Sequence, residues 1–280
     1  MTPVLRVAAC QDVSRPGDVG ANVAAAARLV HLAGAERARV AVLPELFLTG
    51  YDPDCWRDAN VVGADDPRLE RLVAACRETG VVALVGTALP GRHLGVLAVD
   101  GSGARDVYAK QHLSGPEQDA FTPGRGGSSV HVDGWVLGLG VCYDGCFPEH
   151  AMAAAADGAE AYLVPAAYYV GAEHRRDLYY PARALDNGIY VVLAGLTGPC
   201  GAGVFSGGSG VYDPEGRTLA KAGAEAPGVV VADLERAEVR RVQDLVNPVA
   251  ADRAAQVGWS TVHGQLPRRN LHLGTGSPTR

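Results

Sequence analysis

Short apolar runs alternate with longer stretches of helical period, give way to strand-on-strand spacing in the middle of the chain, and then return. Residues 4–10 are mostly apolar and of strand length, and Asp18 stands as an N-cap before an Ala-rich amphipathic stretch reaching about residue 37. A second apolar run, 40–43, is stopped by Pro44-Glu45, and 69–78 carries the i, i+3, i+4 spacing of a surface helix. The intervening segment 47–66 reads as a polar and aromatic loop. Residues 81–89, 96–99 and 107–109 then read as strands, the last two separated by an Asp-Gly-Ser-Gly turn. Beyond a Gly-rich loop at 122–129, a hairpin is predicted from 130–132 and 135–141 around Asp133-Gly134. Helix (152–156), strand (161–164), helix (175–187) and strand (189–194) follow, and 209–212, 218–220 and 229–232 complete the strands.

Mixed strands with helices on one face of each sheet predict a layered α/β fold in one domain over residues 1–250. From about residue 235 the pattern weakens. Residues 251–280 hold too little apolar content for a core of their own and are expected to pack on a partner subunit and then fray.

Three strand ends carry chemistry. The run from Trp135 breaks at Cys142-Tyr143-Asp144-Gly145, and a helix begins after Pro148, so a thiol is presented on a strand–turn–helix corner beside backbone N–H groups. An isolated cysteine is ordinarily a small buried hydrophobe, but here it has company. Glu45 ends the strand of VLPELFLTGY, where apolar surroundings raise a carboxyl toward a working base. Lys110 closes the strand of DVYAKQHL. Strand carboxyl ends converge on one crevice in layered α/β folds. There the glutamate can take the thiol proton, the lysine can lower the thiol pKa and hold an oxyanion, and the thiolate can attack an acyl carbon. No metal or organic cofactor is required.

Composition removes competing classes. With 280 residues, 48% of them hydrophobic, the chain can bury a core without staples, and a net charge of −6 with no long basic run argues against nucleic acid and anionic membrane as partners. No leader or membrane-spanning run is evident, so a cytoplasmic location is expected. The six cysteines show no framework spacing, and the Cys142/Cys146 pair lacks a second pair at zinc spacing. The Gly-rich stretches 124–127 and 207–210 do not fit the phosphate-binding patterns, which sets a nucleotide binder aside.

PELFLTGY at Glu45, YAKQHL at Lys110 and GVCYDGCFPE at Cys142 resemble the Glu-Lys-Cys motifs of the nitrilase superfamily of carbon-nitrogen hydrolases, in family order and over residues 4–232. FTPG at 121–124, ARALDN at 182–187 and GGSGVYDPEGRTL are also similar. The resemblance implies a four-layer α-β-β-α sandwich, a homodimer or higher oligomer, a thioester acyl-enzyme on Cys142, and a role for Glu117 in positioning the lysine and substrate. Tyr143-Asp144 after the cysteine, where true nitrilases have Trp-Glu, points to the amidase-like branch and a small-molecule amide substrate. N-carbamoyl amines or amino acids are the alternative, followed by a nitrile or a non-catalytic scaffold. Tyr51, Tyr143, Tyr168, Tyr169, His112 and Cys146 are the candidate pocket residues. Gly145-Cys146 departs from the bulky or basic residues found there in the family, so a cation for a substrate carboxylate would have to come from elsewhere, for instance His174-Arg175-Arg176.

Overall fold

Apolar runs with no polar face become strands buried on both sides, and nearly every residue of β1 (Val4–Gln11), β2 (Val40–Val42) and β3 (Val82–Leu89) is of this kind. The computed structural model describes residues 3–56, 60–246 and 270–272. The first sheet has the order β14-β1-β2-β3-β4-β5, with β4 (His93–Asp100), β5 (Gly103–Ala109) and β14 (Gly228–Glu235). Strands β1, β2 and β3 run parallel, whereas β3/β4, β4/β5 and β1/β14 are antiparallel. Strand β5 therefore points the same way as the parallel core, and the carboxyl ends of β2 and β5 lie at one end of the sheet.

The second sheet runs β13-β12-β9-β8-β7-β6-β15, built from β6 (Ser129–Val132), β7 (Trp135–Leu139), β8 (Ala161–Ala166), β9 (Tyr190–Gly195), β12 (Gly210–Tyr212), β13 (Thr218–Lys221) and β15 (Asn270–His272). Its centre, β7-β8-β9, is again parallel. The two sheets face each other through β1, β2 and β3 against β8 and β9. Helices α1 (Val19–Ala35) and α2 (Glu70–Thr79) cover the outside of the first sheet, and α4 (Pro148–Ala156) and α5 (Glu173–Asn187) the outside of the second. This is the expected α-β-β-α sandwich. Asp18 does cap α1, its carboxylate accepting from Ala21 N at 2.9 Å.

Several boundaries differ from the reading of the sequence, each for a tertiary reason. Strands β4 and β5 extend to a tight turn at Gly101-Ser102, because Asp100 accepts from the Ser102 N–H and hydroxyl and holds the hairpin closed. Segment 47–66 is not the polar loop its composition suggests: Phe47, Leu48, Thr49, Tyr51 and Trp56 are buried, with the Trp56 indole donating to Gly50 O at 2.9 Å. A hairpin unread in the sequence, β10 (Thr197–Cys200) with β11 (Gly203–Ser206), has four-residue strands, each with one glycine and the first with a proline, too short to carry a period-2 signal. Helix α3 (Glu117–Ala120) is one turn long and too short for periodicity to reveal. After α6 (Arg236–Arg241) and a wider helical turn over Val242–Val246, the expectation for residues 251–280 lies outside the described residues, except that β15 pairs in parallel with β6 of the same chain. Among the described residues no helix is long and apolar enough to cross a membrane.

Candidate active site

The segment after β2 continues along the edge of β3 as if still in the sheet: Leu43 N donates to Leu84 O, Gly86 N to Pro44 O and Leu48 N to Gly86 O. The approach is so close that a Cβ on Gly86 would stand 2.4 Å from Pro44 O and 2.6 Å from the Glu45 Cα. Leu46 adopts φ 49°, a left-handed conformation that turns the chain away immediately after Glu45. The Glu45 side chain is thereby delivered, fully buried, to the carboxyl end of the sheet.

Lys110 arrives from β5, its backbone still tied to the ladder through Leu94 O at 2.7 Å. Its ammonium, 0% exposed, donates to Glu45 Oε1 at 2.6 Å and to both Glu117 oxygens at 2.9 and 2.8 Å. Helix α3 supplies Glu117, which also accepts from the Tyr51 hydroxyl at 2.6 Å and from Ser114 N at 3.0 Å. One buried cation thus serves two buried carboxylates, and every Lys110 N–H has an acceptor. Among the described residues, Glu45 Oε2 has no hydrogen-bond partner.

Cys142 opens a short 3-10 turn between β7 and α4, at φ 43°. A non-glycine residue in this region costs roughly 1–3 kcal/mol and persists only where its surroundings hold it. The restraints are visible: the Tyr180 hydroxyl donates to Cys142 O at 3.0 Å, Arg183 Nε donates to Gly145 O at 3.0 Å, and Asp144 N returns to Val141 O at 3.0 Å. A Cβ on Gly145 would lie 2.6 Å from the Tyr180 ring, so the turn needs glycine to pack on α5. The Cys142 thiol donates weakly to Ala167 O at 3.9 Å, just beyond β8.

Electrostatics set the resting state. Burial pushes the Glu45 carboxyl from its ordinary 4.5 up to about 7; Lys110 pulls it down, Glu117 pushes it up, and the neighbouring Cys142 thiol lowers it slightly. Burial works against the Lys110 cation, but the two glutamates win and raise its pKa, so it stays charged. For Cys142, burial and then Glu45 raise the pKa well above the ordinary thiol value, outweighing the lowering by Lys110. Lys110 does pull the thiol pKa down, as expected, but burial and Glu45 outweigh it, so the thiol stands above its ordinary value beside a carboxyl raised to about 7.

The remaining sequence candidates divide. Tyr168 is buried, its hydroxyl 3.2 Å from that of Tyr180 and 3.8 Å from Cys146 Sγ. Tyr169 stacks on Phe205 at 4.7 Å, and Tyr51 meets Phe205, Trp56 and Tyr169 ring to ring, which makes a continuous aromatic wall. The Tyr51 hydroxyl itself is committed to Glu117. Tyr143 is 39% exposed and packs edge-on against Phe147, on which His112 stacks at 4.2 Å. Arg176 is buried on Ser206 Oγ and Gly207 O, a structural role, while His174 and Arg175 stand at the exposed start of α5.

Sequence reasoning passed over Tyr180, Arg183 and Tyr108. The first two belong to an inward stripe of α5 (Arg176, Tyr180, Arg183, Asn187) whose 3–4 spacing was available as a signal, though a polar stripe ordinarily reads as the solvent face. His112, Asp144 and His150 gather donor atoms within 4.8 Å of one another, as a metal site would. Those atoms are instead engaged in hydrogen bonds with each other, Tyr108, Gln111, Tyr162 and backbone N–H groups.

A buried Glu-Lys-Glu cluster meeting a strained strand-end cysteine is an arrangement for acyl transfer, and comparison with known proteins agrees. The family model described as carbon-nitrogen hydrolase matches residues 6–244. A nitrilase of Pyrococcus abyssi is 32% identical over 241 residues, covering 83% of this chain and 90% of that protein. An (R)-stereoselective amidase of a Pseudomonas species is 30% identical over 278 residues, covering 96% and 99%. Among solved structures, the amidase from Nesterenkonia sp. AN1 superposes with a TM-score of 0.77 at 32% identity, over 91% of this chain and 96% of that one, in a variant carrying the acetamide moiety of fluoroacetamide covalently on its active-site cysteine. A cysteine-replaced variant of the same amidase, in complex with butyramide, gives 0.77 at 31% identity over 92% and 97%. Motif order, sandwich fold and these likenesses together establish that the chain belongs to the carbon-nitrogen hydrolase family of the nitrilase superfamily and is amidase-like.

Proposed function

We propose that the protein hydrolyses small linear carboxamides to the carboxylic acid and ammonia through a thioester on Cys142. The observation that carries this reading is the hydrogen-bonded cluster Glu45–Lys110–Glu117, wholly buried, at the strand end beside the cysteine. Glu45 accepts the thiol proton as the thiolate attacks the amide carbonyl carbon. As Glu45 takes the thiol proton it releases its Lys110 N–H, which then donates to the oxyanion together with the backbone N–H of Tyr143. Glu45 returns the proton to the departing nitrogen as the C–N bond breaks, leaving the thioester. Glu45 then takes a proton from water, whose oxygen attacks the thioester carbon and expels the Cys142 sulfur, which recovers the proton. Glu117, held by Tyr51 and Ser114, keeps the ammonium in place throughout.

A neutral acyl group is favoured over an acidic one. The turn Tyr143–Phe147 supplies no basic side chain, and the buried Arg176 and Arg183 are spent on Ser206, Gly207 and Gly145. Among the described residues, the cations that the sequence offers for a substrate carboxylate, His174 and Arg175, stand exposed at the start of α5. The aromatic wall of Tyr51, Trp56, Tyr169 and Phe205 suits a short apolar acyl chain, in keeping with the butyramide bound by the Nesterenkonia relative. Ammonia release across aliphatic amides, ω-amides, N-carbamoyl amines and nitriles tests the reading. Turnover led by neutral amides is expected, and turnover confined to carbamoyl compounds or nitriles would overturn it.

Because Glu45 must be deprotonated to act as base, the raised pKa sets the acid limb. Activity, followed as kcat/KM, should fall as pH drops through about 7 rather than persisting to the ordinary carboxylate value of 4.5. An acid limb near 4.5 would remove Glu45 from the role of base. A second copy of the chain is proposed to cover Leu178 and Leu185, which α5 leaves 68% and 48% exposed on one face. Sedimentation as a monomer at micromolar concentration would contradict that assembly.

A further inference from the structure

The carboxylate of Asp144 lies two residues beyond the nucleophile candidate and is wholly buried, yet it does not belong to the cluster around Lys110. Its oxygens accept four hydrogen bonds, and the donors come from two different parts of the fold. Oδ2 accepts from Val141 N at 3.0 Å, within the corner that carries Cys142, and from the Tyr108 hydroxyl at 2.7 Å. Oδ1 accepts from the His112 backbone N at 2.9 Å and from His112 Nδ1 at 2.8 Å. Tyr108 and His112 flank Lys110 on either side in sequence. One carboxylate therefore bolts the segment bearing the cysteine to the segment bearing the ammonium, across the boundary between the two sheets.

The bolt is backed by a second layer. His150, on α4, sets Nε2 at 2.9 Å from the Tyr108 hydroxyl and 2.8 Å from Gln111 Nε2, and Nδ1 at 2.8 Å from the Tyr162 hydroxyl. A Cβ on Gly140 would fall 1.9 Å from that Tyr162 hydroxyl, so the network also dictates the residue at the end of β7.

We infer that Asp144 is a positioning residue for the reaction proposed above, fixing the separation of the Cys142 thiol from Lys110 and Glu45. It acts only through the groups it holds. The claim rests on the cysteine-dependent reading, and its test can be read without any amide turnover. Asparagine is a discriminating replacement because each carboxylate oxygen faces a backbone N–H, of Val141 on one side and His112 on the other. Whichever way the amide is flipped, its NH2 opposes one of them. The ionisable groups around the pair are Glu45, Lys110, Glu117, Tyr51, Tyr168, Tyr169 and Tyr180 facing Cys142, and Tyr108, His112, His150, Tyr162 and Lys110 facing Asp144.

The experiment measures alkylation of Cys142 by iodoacetamide as a function of pH, by intact mass and peptide mapping, in the wild type, Asp144→Asn and Tyr108→Phe, with thermal melts alongside. At pH 7 Asp144→Asn should slow Cys142 alkylation by roughly ten- to a hundredfold, as displacement of a reacting group by about an ångström does. Without Glu45 in place to take the proton, alkylation in the variant follows the thiol's own ionisation, so its rate should rise only at higher pH than in the wild type, and Tyr108→Phe, which removes one of the four bonds, should fall between. An unchanged rate and pH profile in folded Asp144→Asn would overturn the inference, however far the melting temperature moves. Should Asp144→Asn fail to fold, Tyr108→Phe decides: a wild-type profile refutes the role and a shifted one supports it. Failure of the wild type to hydrolyse any amide would sink the proposed function while leaving this comparison readable.

Discussion

Lys110→Met should lose both amide turnover and about 3–5 kcal/mol of stability, because the substitution strips the cation from two buried carboxylates and leaves them uncompensated. The ammonium makes all three of its hydrogen bonds to Glu45 and Glu117, none of which methionine can replace. The loss should depend on pH in a defined direction. Even with Lys110 present, the folded-state pKa of Glu45 stands above its ordinary value, at about 7 against 4.5, and removing the cation raises it further. A carboxyl whose folded pKa is raised has its full stability below the unfolded pKa and loses it as pH rises through the folded one. The stability gap between variant and wild type should therefore be smallest near pH 4.5 and widen through pH 7 and above. Urea unfolding at a series of pH values reads this directly. A gap that widened toward acid, or a variant as stable as the wild type at pH 8, would contradict the account of the cluster.

Cys142→Ala should separate chemistry from fold. Turnover should drop by about 10⁴-fold or more, to the background left by binding and oxyanion contacts, since the nucleophile has no substitute. Stability should change by only about 1 kcal/mol, because one sulfur is removed from a partly accessible position and the restraints on the turn are backbone and remote side-chain bonds. Calorimetric binding of a substrate amide to the alanine variant should remain measurable. Retained ammonia release at more than a few per cent of wild type, with an intact fold, would remove Cys142 from the centre of the mechanism.

The three strand-end residues were legible because each interrupts an apolar run, and a strand's carboxyl end in a layered α/β fold is a place where side chains meet. Glu45, Lys110 and Cys142 each read blandly alone, and it was their convergence at strand ends and the motifs around them that singled them out. Glu117 was carried by resemblance alone: its helix is a single turn, and the Tyr51 hydroxyl and Ser114 N–H that fix it lie 66 and 3 residues away in the chain. Asp144 announced itself only as a branch marker, since its work is done with partners at 108 and 112 that no periodicity connects to it. Helix α5 inverted the usual inference. Its polar stripe faces inward to brace the cysteine turn, while Leu178 and Leu185 face out, so hydropathy alone orients it wrongly. The lysine's pull on the thiol was legible in sequence, but the desolvation that outweighs it is a property of the assembled sandwich.

Acid-quenched intact-mass analysis during turnover of a short aliphatic amide tests the central claim most directly. The account predicts a transient species heavier than the free chain by the acyl group alone, with the nitrogen already lost, mapping to Cys142 and absent from Cys142→Ala. Amide hydrolysis that proceeds with no such species in single-turnover sampling, or an acyl group mapping to another side chain, would contradict it.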